Sequence, residues 1–319
     1  MDNAPAQQFC SRPEIAQSWD EHGGGMSTGP MHADEVATDV ELVRRLLAGQ
    51  FPQWAELPVR PVPSSGTDNA LYRLGEDMVV RLPRIGWAVT DVEAEQRRLR
   101  HLAAHLPLPI PEPLAAGVPD AGYPWPWSVY RWLPGEEARA DRLPDPVGTA
   151  EALAAFVGAL HGVEVVDPPS GGRGGPLAPR DAATRAAIVA LDGEIDARAV
   201  TAVWEEALAA PVCAGPSVWL HADLAPGNLL LRDGRLTAVL DFGALAVGDP
   251  AVDLLVAWNL LSGAARERYR TALGVDDATW ARGRGWAVSV ALIALPYYRD
   301  TNPALVAQSW RTLRELMAG

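Results

Sequence analysis

Apolar and polar positions follow two different periods along this chain, and the change between them marks its organisation. Tyr72 to Leu74 and Met78 to Leu82 read as short strands around a Gly75-Glu76-Asp77 turn. In Met78-Val79-Val80-Arg81-Leu82 a period of two sets Arg81 on the face opposite Met78, Val80 and Leu82. From about Asp91 to Leu106 the period becomes helical. Val92, Glu95, Leu99, Leu102 and Leu106 form one stripe, which places Glu95 on the apolar face and leaves Glu93 off it. An inward carboxylate needs a partner because an unpaired buried charge is costly, and Arg81 is the natural one. Trp127 to Leu133 reads as a further strand ending at Pro134-Gly135. Helical patterns then cover roughly 148–161, 181–191, 198–209, 250–261, 264–273, 277–295 and 303–317, with a long Gly/Pro-rich loop from Pro168 to Pro179.

One hairpin interrupts the helical portion. The runs Leu229 to Leu231 and Leu236 to Leu240 flank Arg232-Asp233-Gly234-Arg235, and an Asp-Gly pair between apolar runs predicts a two-residue turn. Leu231 then faces Leu236, Asn228 faces Val239, and Asp241 leaves the ladder at the end where Asn228 enters. Asp223 lies on the loop entering at that same end, and Pro226 and Gly227 keep that loop out of helix. Asp223, Asn228 and Asp241 thus converge on one mouth. Phosphoryl transfer needs such groups: a carboxylate to accept a hydroxyl proton, and oxygen ligands to hold Mg²⁺ against nucleotide phosphates.

The stretch His221-Ala222-Asp223, Asn228 and Asp241-Phe242-Gly243 resembles the aminoglycoside phosphotransferase family, relatives of choline kinases and more distantly of protein kinases. The resemblance runs from about Met31 to the C-terminus and is most specific over 218–255. The family's usual His-Gly-Asp has Ala222 at its centre here, a departure expected only to tighten the loop. The resemblance implies an α+β, bilobal protein-kinase-like fold, with a small N-lobe of antiparallel sheet and one helix and a larger, mostly helical C-lobe. Residues 31–133 would form the nucleotide-binding N-lobe and 134–319 the C-lobe. Residues 1–30, rich in Gly, Pro, Gln and Ser, are expected to be a disordered tail, with Met26 and Met31 as alternative starts.

In that frame Asp223 is the expected catalytic base, and Asn228 and Asp241 hold Mg²⁺. Arg81, paired with Glu95, anchors the phosphates of ATP or GTP in the place of the family's lysine; Arg84 is an alternative. Backbone groups of about Arg131 and Leu133 would bind the adenine edge. Ser65, Gly66 and Thr67, just upstream of the Arg81 strands, would cover the phosphates. His221, Asp249 and Asp253 would support the loop, although capping at Asp249-Pro250 explains the last two carboxylates equally well.

Composition narrows the class. There is no lysine anywhere, which excludes a Walker A loop. Two cysteines, Cys10 and Cys213, make neither a disulfide framework nor a metal site. No apolar run reaches membrane-span length, and the N-terminus lacks the pattern of a signal peptide, so a cytoplasmic enzyme is expected. His101 and His105 share a helix face without a third ligand and read as solvated, and His161 reads as a helix-end residue. A net charge of −13 disfavours nucleic acid and favours a hydroxylated, cationic small molecule such as an aminoglycoside. Glu194, Asp196, Glu205, Glu206, Asp276, Asp277 and Asp300 are the carboxylates that would receive it. The alternatives are the same chemistry on a macrolide, choline-like or amino alcohol, or sugar, and a catalytically idle kinase-like binding protein. Phosphorylation of an antibiotic would make the protein a resistance enzyme.

Overall fold

The computed structural model describes residues 35–63 and 68–318. Its N-terminal lobe contains α1 (Val40–Gln50), β1 (Val59–Val62), β2 (Asn69–Leu74), β3 (Met78–Pro83), α2 (Val92–Ala103), β4 (Pro113–Gly117) and β5 (Trp127–Arg131). The strands form one antiparallel sheet in the order β1-β2-β3-β5-β4. Its two faces carry different chemistry. On one, Val80, Leu82, Val129 and Trp127 pack with Leu42, Val43, Leu46 and Leu47 of α1 in an apolar core. On the other, Arg81 stands opposite Ser128 and Val79 opposite Tyr130, beside α2. The alternation read from the sequence is therefore the alternation in space. Helix α1 is an addition to the expected single helix; Asp39 caps it by accepting the Leu42 N–H at 2.7 Å.

The C-terminal lobe follows with β6 (Glu136–Glu137), α3 (Pro146–Gly162), α4 (Asp181–Ala190), α5 (Ala197–Ala209), β7 (Val218–Leu220), β8 (Leu229–Arg232), β9 (Arg235–Val239), β10 (Ala246–Gly248), α6 (Val256–Asn259), α7 (Gly263–Leu273), α8 (Asp277–Tyr298) and α9 (Pro303–Met317). A single core runs through it, with Trp204, Trp219, Trp258 and Phe156 fully buried. The helix expected over 250–261 is a tighter 3₁₀ segment, Pro250–Leu255, followed by the single turn of α6. Among the described residues no helix is long and apolar enough to cross a membrane.

Small strands frame the site: β7 pairs with β10, and β8 pairs with β6 and β9. Asp233 and Gly234 both have positive φ, +52° and +77°, as the tight hairpin turn requires. The expected pairing holds at Leu231 opposite Leu236 but not beyond it. A bulge at Thr237 inserts one extra residue in β9, so Leu229, not Asn228, faces Val239. The Thr237 hydroxyl donates to the Leu230 carbonyl at 3.2 Å, stabilising the insertion. Asn228 instead accepts the Leu240 N–H through its carbonyl at 2.7 Å, which still delivers Asp241 to the same end.

Candidate active site

The loop after β7 is held from behind by one buried carboxylate. Asp253, fully buried, accepts the Ala222 N–H at 2.7 Å and the His221 N–H at 3.1 Å. Its second oxygen also meets His161 Nε2 at 3.0 Å. His161 is thus part of the loop's support and not simply a helix-end residue; its partner lies far away in sequence. His221 is buried, its Nε2 donating to the Leu240 carbonyl at 2.8 Å while Nδ1 accepts the Asp223 N–H at 3.3 Å. Those two bonds select one neutral tautomer and bind the loop to the end of β9. The ring also packs edge-on to Phe242.

Ala222 has φ +65°, so its departure from glycine is a matter of backbone strain and not of tightening. A left-handed non-glycine residue costs about 1–2 kcal/mol. Ala222→Gly relieves that, but loses a buried methyl worth ~0.8 kcal/mol and frees the unfolded chain by about 0.4–1 kcal/mol. These offset, so the variant is expected to unfold within about 1 kcal/mol of wild type; a larger shift in a denaturant midpoint would refute this balance.

Asp223 and Asn228 meet on the front of the loop. Asn228 Nδ2 donates to the Asp223 carbonyl at 2.9 Å and reaches Asp223 Oδ2 at 3.5 Å. With its nitrogen turned to Asp223, Asn228 keeps Oδ1 for another partner. Asp241, half-exposed and in a left-handed conformation at φ +56°, accepts the Gly243 N–H through Oδ1 at 3.1 Å. An amide oxygen and a carboxylate suit Mg²⁺, which retains water and takes its other ligands from phosphates.

Arg81 closes the other side. Its Nη1 donates to Glu95 Oε1 at 2.9 Å, and its Nη2 lies 3.9 Å from Asp241 Oδ1. Glu95 also accepts from the hydroxyls of Thr90, at 2.6 Å, and Tyr130, at 2.8 Å. Burial pushes the Glu95 carboxyl upward, but the Arg81 charge and the Thr90 and Tyr130 hydroxyls outweigh it and hold the pKa below the ordinary value. Burial opposes charge on Arg81 as well, but Glu95, Tyr130 and Asp241 together outweigh it and raise its pKa. A folded carboxyl with a depressed pKa adds stability that is present above the unfolded value of about 4.5 and is lost as pH falls. Glu95→Gln is expected to cost about 1–3 kcal/mol at neutral pH, a gap that narrows below pH ~4.5. Denaturation of both proteins from neutral to acid pH measures it, and a constant gap would sink the idea.

The remaining expected residues divide. Arg84 lies apart from Glu95; its N–H bonds to the Asp68 carbonyl and its guanidinium approaches Glu35. The Arg131 N–H is taken by the Glu112 carbonyl at 2.9 Å and its side chain by the Glu112 carboxylate at 2.6 Å. Both the Arg131 N–H and its side chain are thus engaged by Glu112. Asp249 caps the turn after β10 and pairs with Arg282 at 2.6 Å, so its carboxylate is not on the catalytic loop. Ser65, Gly66 and Thr67 lie outside the described residues. His101 and His105 pack edge-on, and no group of three or more metal-binding side chains occurs among the described residues.

A family model for the phosphotransferase enzyme family matches residues 59–286. The chain belongs to that family. The match spans β1 through the middle of α8 and includes every residue placed above between Arg81 and Asp253. Like its family, the protein is a phosphotransferase with a hydroxyl acceptor and a protein-kinase-like fold. Aminoglycoside 3'-phosphotransferase of Escherichia coli is 27% identical over 226 residues, 65% of this chain and 80% of that protein. APH(2")-IIIa in its GDP and kanamycin complex superposes with a TM-score of 0.69 at 21% identity, covering 86% of this chain and 98% of that one. Macrolide 2'-phosphotransferase MphH of Brachybacterium faecium gives a TM-score of 0.57 at 26% identity, covering 86% and 98%.

Three residues of this phosphotransferase's site escaped the sequence reading. Thr90 and Tyr130 complete the shell of Glu95. Tyr130 was within reach, since the β5 alternation places it on the Arg81 face. Arg173, from the Gly/Pro-rich loop, donates to Asp223 Oδ1 at 2.5 Å and to the Ala222 carbonyl at 3.2 Å. No periodicity could have found it.

Proposed function

We propose that the protein transfers the γ-phosphoryl group of ATP or GTP to a hydroxyl of a small molecule, with Asp223 as the base. The observation that carries this is the meeting of Asp223 with Asn228 at 2.9 Å, at the ladder end where Asp241 emerges. In this reading Asp223 orients the acceptor hydroxyl and takes its proton, while Asn228 Oδ1 and the Asp241 carboxylate hold Mg²⁺. Bound there, Mg²⁺ neutralises charge on the phosphate oxygens. Arg81, fixed by Glu95, grips the same phosphates with a bidentate fork where a lysine would offer a point charge. The Arg131 carbonyl and the Leu133 N–H bind the base edge. Residues 31–133 form the nucleotide lobe and 134–319 the acceptor lobe. A reaction that consumes nucleoside triphosphate belongs in the cytoplasm.

The similarity to an aminoglycoside phosphotransferase and to a macrolide phosphotransferase makes an antibiotic hydroxyl the first acceptor class to test. A second reading, another small alcohol, is favoured by a specific observation: the charged group paired with the Asp223 carboxylate is an arginine. The experiment is Mg²⁺-dependent nucleotide consumption with ATP and GTP in parallel, against kanamycin, a macrolide and small alcohols, with product mass checked for one added phosphoryl group. Transfer to any of them supports the reading. Nucleotide binding without transfer to any acceptor replaces it with an idle binding protein.

A further inference from the structure

The segment between α3 and α4 carries two guanidinium groups, one of them bonded to Asp223. Arg173 gives only its Nη1 to Asp223 and Ala222; its Nε and Nη2 donate no hydrogen bond among the described residues. Arg180, at the N-terminus of α4, gives Nε to Ser289 Oγ at 2.9 Å and lies over the Trp286 ring at 4.9 Å. Its two Nη nitrogens donate none, and among the described residues no carboxylate lies within ion-pair distance of it. Burial, and then the charge of Arg173, push its pKa down to about 10. Two arginines that repel each other, with open donors and a single carboxylate, Asp223, paired to one of them, leave a net cationic patch. Such forks match the geometry of a carboxylate or phosphate.

The loop holding them is clamped. The Gly174 carbonyl accepts the Asp249 N–H at 2.9 Å, and a Cβ on Gly248 would come within 2.1 Å of that carbonyl oxygen. Glycine at 248 is what lets the loop lie on β10.

The carboxylates expected to receive a polycation are engaged elsewhere. Glu194 pairs with Arg299, Glu205 with Arg185, Glu206 with Arg284 and Asp277 with Arg270. Asp196 and Asp276 cap α5 and α8. Of the seven only Asp300 is left, next to Arg299 in the chain.

We propose that Arg173 and Arg180 form an oxyanion receptor beside Asp223, and that the acceptor is an alcohol bearing a carboxylate or phosphate group. The word acceptor rests on the phosphotransferase reading above; the receptor does not. An anion drawing on Arg173 also uncovers Asp223 Oδ1 for the hydroxyl, so binding and exposure of the base are one event. A polycation brings no anionic group to either arginine.

Sulfate is the direct probe, titrated calorimetrically into protein saturated with Mg²⁺ and the non-hydrolysable analogue AMP-PNP, so that the nucleotide side is filled. Wild type is expected to bind it, Arg180→Gln to bind at least about ten-fold more weakly, and Arg180→Lys to recover part of the loss. Absence of binding, or equal binding by Arg180→Gln, overturns the receptor. Initial rates with kanamycin, erythromycin, glycerol, glycerate and ribose 5-phosphate then test the acceptor. Glycerate or ribose 5-phosphate is expected to be preferred, with Arg180→Gln raising its KM about ten-fold and leaving the nucleotide KM in place. Preference for kanamycin overturns the anionic acceptor. A fall in kcat at constant acceptor KM also overturns it and assigns the arginines to the transferring phosphoryl group. Sulfate binding through Arg180 without transfer to any acceptor overturns the phosphotransferase reading and leaves the receptor standing.

Discussion

Asp223→Asn is expected to lower kcat by roughly 10²–10⁴-fold, the range associated with loss of a general base. The amide keeps an oxygen that can accept from Arg173, and the backbone bonds from Asn228 and to His221 are unaffected by the change. The fold and the loop are therefore preserved. The Arg173 pair is more than one-third exposed on both sides, so its weakening costs little stability. Nucleotide affinity is expected to stay near wild type, because the proposed phosphate and metal groups are Arg81, Asn228 and Asp241. Single-turnover kinetics with a working acceptor, alongside nucleotide binding by calorimetry, separate the two quantities. Normal turnover in the variant would refute Asp223 as base; loss of nucleotide binding would show that it acts on the metal side instead.

Asp253→Ala carries the largest expected effect on stability. The substitution strands the His221 and Ala222 N–H groups in a fully buried site and removes the partner of His161. Each orphaned buried donor costs about 1–3 kcal/mol, so a loss of roughly 3–5 kcal/mol is expected. That is a large part of the ~5–15 kcal/mol that holds a typical domain together. Asp253→Asn keeps one acceptor oxygen but turns an amide NH₂ toward a donor, and falls between the two at about 1–3 kcal/mol. Denaturant midpoints order the three proteins. Should Asp253→Ala unfold with wild type, the carboxylate is not the anchor described here. Activity is expected to fall with stability in this pair, unlike Asp223→Asn, because the loop would lose its geometry and not its base.

Local periodicity made much of the architecture legible. The stripe that puts Glu95 inward on α2 and the alternation that puts Arg81 on one face of β3 are properties of single elements, and the 2.9 Å ion pair follows from their packing. The Asp233-Gly234 turn was legible for the same reason. The bulge at Thr237 was not, because counting residues back from a turn assumes that both strands contribute equally. Contacts between distant loops were further out of reach. Arg173 and Asp223 are 50 residues apart and His161 and Asp253 are 92 apart, joined only by the fold. Charge resolved less than periodicity did. A net −13 is a sum over the whole chain and does not show that Glu194, Glu205, Glu206 and Asp277 are already paired with arginines.

The contact of Gly174 with Gly248 links parts of the site that have no side chain in common. Strand β10 leaves the turn that begins at Asp241 and, within a few residues, carries the backbone on which the Arg173 loop rests. Any displacement of that strand when nucleotide binds is passed to Arg173 without a change in either ligand's own contacts. Reciprocity then requires an occupant of the arginine pair to alter nucleotide affinity by the same factor. That link is backbone against backbone, and any side chain at position 248 would force it apart.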